Sequence, residues 1–305
     1  MRYPSPARRA TILLTLAVLA SGCRRGGLPV FNLLGLDKPL VVGMVEDDPL
    51  QVINPFSPYD GLRRELGDAI GRSVAIDMCL PMQVAPYLAA GHYHLAIVSP
   101  TQYAALPNRA ELPVIAAPVD AKGRVARSAL LVTPAASEIQ GVADLRGKVV
   151  AFGPANHART HRAAMRLLAD NGVALQDLSL ELLPVPGSPR HLPDAAAVFE
   201  QVLRGAAVAG FVDQLAWEAL PERSATGSTP ARAAFRVVAQ TVAVPDRLWL
   251  ASPKLEADTL ARVRAFLTGP RLHGAECLKP LSISGFDTPD ADALKGCTAL
   301  DPTSK

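Results

Sequence analysis

Aromatic residues are scarce in this chain of 305, at 5%, so a core must be built mostly from Ala, Val, Leu and Ile. A content of 49% hydrophobic and 19% charged residues excludes both a disordered chain and a polytopic membrane protein. Only four cysteines occur and none forms a Cys-x-x-Cys pair. Zinc ribbons, thioredoxin-like redox chemistry and disulfide-dense scaffolds therefore have no support. A surplus of one charge is also missing. The formal charge of +3 comes from Arg2, Arg8 and Arg9, and beyond residue 22 there are 28 basic and 28 acidic residues. Nothing calls for a nucleic-acid partner, which needs a clustered basic surface. Catalytic signatures are absent too. There is no Gly-x-Ser-x-Gly elbow, and no Glu follows His157 in the metalloprotease spacing although His161 lies four residues on. The stretch from Gly67 to Ser73 lacks the Lys of a phosphate loop and reads as a helix end. No enzyme activity, metal or cofactor is expected.

What is present begins with a leader. Arg8 and Arg9 precede an apolar run of 13 residues from Ala10 to Gly22. As a helix that run is roughly 20 Å long, too short for a hydrocarbon core of about 30 Å. A basic start, a short apolar stretch and small terminal residues read as a secretory signal over residues 1–22. Leu19-Ala20-Ser21-Gly22-Cys23 resembles a bacterial lipobox, which implies cleavage before Cys23 and lipid on its thiol. The alternative is an ordinary secreted chain whose signal ends near a cysteine. Lipidation predicts a body outside the cytoplasm, lipid-anchored to a bacterial membrane, with residues 23–37 as tether. Export permits oxidation, and a staple between Cys277 and Cys297 is expected, against two buried thiols; Cys79 reads as a small core residue.

The remainder alternates strand and helix patterns. Strands are expected at 39–45, 73–77, 94–98, 112–117, 127–133 and 149–152. Apolar residues at 62, 66, 69 and 70 predict a helix; others are expected at 82–90, before Gly91, and at 160–169, before Asn171-Gly172. Further strands are expected near 178–183 and at 207–212, 235–239 and 247–251, and helices at 194–204, 213–220 and 255–267. The Pro-rich stretch 184–193 and the polar stretch 221–232 read as loops. This alternation argues for an α/β fold of parallel sheets with helices on both faces, and the length suggests about two domains.

Three segments carry a family resemblance. They are the opening strand with Tyr59 in the loop after it, Leu88 to Tyr103 (which includes Ser99-Pro100-Thr101), and Val142-Ala143-Asp144-Leu145-Arg146-Gly147-Lys148 running into Val149 to Gly153. Over roughly residues 38–270 the chain resembles the substrate-binding subunits of phosphonate-type ABC importers, a branch of the type II periplasmic binding proteins. The resemblance implies two α/β lobes joined by two crossing strands. Lobe I would take 38–130 plus 245–305, and lobe II 131–244. It also implies a small anionic ligand and partnership with an ABC permease and ATPase. A sensing or partner-presenting lipoprotein on the same fold is the alternative, and an extracytoplasmic enzyme is a more distant one.

The resemblance also implies which residues meet the ligand. From lobe I these are Tyr59, Ser99, Thr101 and Tyr103, with Tyr103 matching a family tyrosine that points into the cleft. From lobe II they are Asn156, His157, Ala158, Arg159 and Thr160, at the turn where amides of a helix start hold an oxyanion, and Asp213 at the rim. Family members carry a Ser/Thr-rich run at this turn. Here Thr160 is its only hydroxyl, and Arg159 is expected to grip the anion bidentately. The alternatives are Arg159 and His157 as solvated first-turn residues, Asn156 as a mere cap and Tyr103 as a packing ring. His94 reads as structural.

Overall fold

The structure is a computed structural model that describes residues 38–45, 57–181, 187–223 and 230–301. The leader, Cys23 and the tether lie outside the described residues. In chain order, β1 (Leu40–Met44), α1 (Asp60–Ile70), β2 (Val74–Met78), α2 (Pro81–Ala90), β3 (Leu95–Val98), α3 (Pro100–Ala105) and β4 (Val114–Val119) come first. β5 (Ala126–Arg127) leads to β6 (Ala129–Pro134) and β7 (Val150–Phe152). A π turn (Ala158–Ala163) runs into α4 (Ala164–Asp170), followed by β8 (Arg190–His191), α5 (Ala195–Leu203), β9 (Ala209–Asp213), α6 (Gln214–Ala219) and β10 (Phe235–Gln240). The chain returns through β11 (Val244–Pro245) to β12 (Leu248–Ala251), α7 (Ala257–Leu267), β13 (Gly285–Asp287) and α8 (Ala291–Thr298).

Local chemistry sets these elements. In α1 the residues Leu62, Leu66 and Ile70 recur every four positions and are all buried, and Gly71 ends the helix at φ 67°. Pro81 opens α2 and Gly91 closes it at φ 78°. The buried strands are short apolar runs, as in β3 (Leu-Ala-Ile-Val).

Two large sheets and one two-stranded sheet result among the described residues. The first has the order β13-β4-β12-β3-β1-β2 and the second β10-β6-β9-β7-β8. Between them β5 pairs antiparallel with β11, so the chain crosses from one sheet to the other twice. The expectation of parallel sheets is corrected in part. β1 is parallel to β2 and β3, but β12 returns from the second sheet and inserts antiparallel to both β3 and β4. In the second sheet β7 is parallel to β8 and β9, while β6 is antiparallel to β9. Of the strand expected near 178–183, residues 182 and 183 lie outside the described residues and 178–181 hold only an isolated bridge from Glu181 to Ser188; the edge strand is β8, inside the stretch read as a loop.

Alternate residues of the first sheet feed two clusters on opposite faces. One joins Leu40, Val42 and Met44 to Leu66 of α1 and Leu267 of α7. The other joins Ala96 and Val98 to Leu88, Tyr103 and Ala104. Cys277 belongs to the first cluster and Cys297 to the second. The expected staple is therefore corrected: Cys79, Cys277 and Cys297 are free, buried thiols. A disulfide needs Cα atoms within about 7 Å, and the sheet lies between the two residues. Burial pushes the Cys277 thiol up to about 11 and Cys297 up to about 12, so both are held protonated as core residues.

Candidate functional site

The second sheet sends the carboxyl ends of β7 and β9 to the same edge. Two helical segments begin there, at Ala158 and at Ala195. In open α/β sheets this edge is where ligands bind. The turn after β7 is tight. A Cβ on Gly153 would lie 2.1 Å from Thr160 Oγ1, so only glycine permits this approach. Asn156 takes the left-handed conformation at φ 66°, and His157 follows as the N-cap. Thr160 N–H donates to His157 Nδ1 at 3.2 Å, and Thr160 Oγ1 lies 2.8 Å from the same nitrogen. The helix opens with a π turn, in which the carbonyl of His157 accepts from both His161 and Arg162. The amides of Ala158 and Arg159, first in the helix, have no intrahelical acceptor.

Three histidines back this turn. Asn156 N–H donates to His161 Nδ1 at 2.9 Å, and His191 Nδ1 lies 2.9 Å from the carbonyl of Gly153. His161 meets His191 edge to face, with ring centroids 4.5 Å apart. Burial first, and then neighbouring positive charge, brings His157 and His161 down to about 4. Both are neutral near pH 7. Beside them is a cavity of about 210 Å³ lined by Gly153, Pro154, His157 and Thr160 from the turn, Pro193 to Ala195 and Val198 from the start of α5, and Phe211 to Asp213 from β9.

Arg159 departs from the expectation. Its side chain is 5% exposed and bound to protein acceptors on three sides. Nε donates to Asp213 Oδ2, Nη1 to the carbonyl of Pro245 at 3.2 Å and Nη2 to Asp246 Oδ1 at 2.8 Å. Burial alone would raise the Asp246 carboxyl, but Arg159, with Arg127 and Arg247, outweighs it and holds Asp246 at about 2. Asp213 is likewise lowered against burial by Arg159 and Arg127. Arg127, on β5, lies 3.5 Å from Asp213, 3.8 Å from Asp246 and 3.7 Å from Asp120. Next to it Arg124 donates bidentately to Glu218 at 2.7 and 2.9 Å and through Nε to Asp120 at 2.8 Å. The guanidinium of Arg159 and the carboxylate of Asp213 thus bind each other within an array at the crossing strands.

From the first sheet, α3 comes up against the π turn. Ala158 and Ala163 share a cluster with Tyr103 and Ala104. Ser99 caps α3 in a reciprocal box, with Gln102 N–H on its Oγ at 3.2 Å and its own N–H on Gln102 Oε1 at 2.9 Å. Thr101 Oγ1 is buried without a hydrogen-bond partner, the one hydroxyl in that state among the described residues. Tyr103 is buried within the cluster, and desolvation raises its hydroxyl. Tyr59 packs against the cluster on the other face of the sheet. His94 accepts from Val41 N–H through Nδ1 at 3.0 Å, a contact within the first sheet.

Of the residues expected from the sequence, His157, Thr160 and Asp213 line the cavity beside the turn. The sequence did not point to Asp194, which also lines it, to Arg124, Arg127 and Asp246 of the array, or to His161 and His191 on the backbone of the turn. Of these, His191 carried a usable signal: a lone histidine just ahead of an Asp194 N-cap, at a strand-to-helix junction.

The model of one family, ABC transporter, phosphonate, periplasmic substrate-binding protein, matches residues 57–294. The chain belongs to this family. No curated protein matches it. Among solved structures, a protein of Xanthomonas citri bound to ATP is 19% identical, with a TM-score of 0.62 over 87% of this chain and 96% of that one. PhnD1 of Prochlorococcus marinus, in complex with methylphosphonate, is 16% identical, with a TM-score of 0.56 over 86% of this chain and 97% of that one. A binding protein component of an ABC phosphonate transporter from Pseudomonas aeruginosa is 16% identical, with a TM-score of 0.52 over 85% and 84%. The fold is that of the type II periplasmic binding proteins, two α/β lobes joined by two crossing strands. This substrate-binding subunit accordingly serves an ABC transporter outside the cytoplasm. Among its described residues no helix is long and apolar enough to cross a membrane.

Proposed function

We propose that this subunit captures a small oxyanion, phosphonate-like or phosphate-like, between lobe I (38–130 plus 245–305) and lobe II (131–244), and delivers it to an ABC permease and its ATPase. Residues 1–22 serve as the export leader, Cys23 carries lipid, and residues 23–37 tether the body to a bacterial membrane. The protein binds and releases its ligand and makes no bond.

The observation that carries this reading is the packing of α3 against the helix start at Ala158. That arrangement supports one donor set: the amides of Ala158 and Arg159 from lobe II, and the unpartnered Thr101 hydroxyl from lobe I. Roughly half a positive charge at the helix start favours an anion. Arg159 stays on Asp213 and Asp246 and contributes its amide rather than its guanidinium. Asp213 is already neutralised by that guanidinium, so a ligand ammonium gains little there. Plain oxyanions should therefore bind better than amino-substituted ones. Hinge closure about β5 and β11 then shields the ligand from water.

Titration calorimetry on the purified protein tests this with phosphate, phosphite, methylphosphonate, 2-aminoethylphosphonate and an alkanesulfonate. Saturable heat with at least one plain oxyanion is expected, and weaker binding of 2-aminoethylphosphonate. No heat and no thermal shift with any of them would overturn the reading.

A further inference from the structure

We infer that an arginine groove at the foot of lobe I docks on an anionic phospholipid surface. The groove runs along the end of α1 and the start of β2, is open, and has a volume of about 590 Å³. Arg63, Arg64 and Arg72 line it, with Asp68 as its one acid. The guanidiniums are held in place at one edge, since Arg63 Nη1 donates to the carbonyl of Val74 at 3.1 Å and Arg64 Nε to that of Asp60 at 3.3 Å. The Arg63–Asp60 ion pair, at 3.5 Å, is solvent-exposed and screened.

A lipid surface fits this groove better than an enclosed small anion. The groove sits at the carboxyl end of α1, where helix carbonyls and Asp68 repel a bound ion. A planar array of lipid phosphates stays outside the groove and meets the outward edges of the guanidiniums without approaching either. The chain path points the same way. Leu40 N–H donates to the carbonyl of Ser73 at 2.8 Å, so the chain enters the fold beside the groove. This inference rests on the lipid at Cys23. Cys23 precedes the described fold by 15 residues in sequence, so a lipid there keeps the body at high local concentration beside the bilayer. Weak contacts then suffice, each arginine adding about fivefold near an anionic leaflet. The carboxyl ends of the parallel β1, β2 and β3 point away from this face. Docking therefore leaves the cleft open to solution, and delivery to the permease requires release from the lipid.

The test is phenylglyoxal labelling of the full lipidated protein in vesicles of phosphatidylcholine, with and without about 30% phosphatidylglycerol. Arg63, Arg64 and Arg72 should label roughly threefold more slowly in the anionic vesicles, and salt near 0.5 M should erase the difference. Arg204, 72% exposed at the end of α5, should label equally in both. The double variant Arg64→Glu, Arg72→Glu should lose the protection at Arg63. Equal labelling of a chain whose mass shows lipid overturns the docking face alone. A mass without lipid overturns the anchor and, with it, this tethered geometry.

Discussion

Thr101 isolates ligand binding from stability at a single oxygen. Its hydroxyl is buried and unpaired, so the free protein gains nothing from it. Thr101→Val should leave the melting temperature unchanged or slightly higher. The same substitution should weaken the oxyanion by roughly 10–150-fold, the value of one hydrogen bond to a charged group. Calorimetry beside a thermal melt reads both, and equal affinity would remove Thr101 from the site. The histidines act differently. Free histidine titrates near 6.5, whereas His157 and His161 sit at about 4 in the fold because burial disfavours their charged forms. Between those values the unfolded chain binds protons that the folded chain refuses. Their contribution to stability is complete above about pH 6.5 and is lost as pH falls toward 4. Urea unfolding near pH 5 should show uptake of up to about two protons from this pair; stability that does not fall with acidification across the window would contradict the neutral assignment.

At the scale of elements, legibility followed locality. The helix at α1 was readable because Leu62, Leu66 and Ile70 repeat every four residues and Gly71 stops them. The strand at β3 was readable as an apolar run closed by Ser99-Pro100. The π turn was not, since one extra residue per turn leaves no mark in a seven-residue pattern. Nor was β8, two residues whose strand character comes from pairing with β7, far away in sequence. Cys277 and Cys297 were misread for a related reason. Spacing of 20 along the chain carried no information about the sheet between them. Alkylation of the unreduced, unfolded protein should therefore find all three of Cys79, Cys277 and Cys297 free, and reductant should not move the melting temperature. A mass two protons lighter would restore the staple. The site was half legible in the same sense. Arg159 and Asp213 stood out as charged residues at strand ends, but that they neutralise each other depends on a contact 54 residues apart.

Across the whole molecule, the charge array and the candidate site are parts of one junction. Arg159 and Asp213 come from lobe II, Asp246 follows the returning strand β11, Arg127 sits on β5, and Arg124 reaches across to Glu218 of α6. Arg124, Arg127 and Arg159 face Asp120, Asp213, Glu218 and Asp246, with Lys122 also on Glu218, so positive and negative charges balance. Arg247 also acts on Asp246, but the guanidiniums of Arg124, Arg127 and Arg159 already sit on carboxylates, so on the proposed reading a ligand anion depends chiefly on oriented amides. The array also ties both lobes to the crossing strands, which suits a hinge that closes on a ligand. The most direct measurement is a crystal structure of the complex with whichever oxyanion binds in calorimetry. The account predicts the oxyanion within hydrogen-bond reach of the Ala158 and Arg159 amides and of Thr101 Oγ1, with the Arg159 guanidinium still on Asp213 and Asp246. An anion seated elsewhere, or held by an Arg159 side chain that has left its two carboxylates, would contradict it.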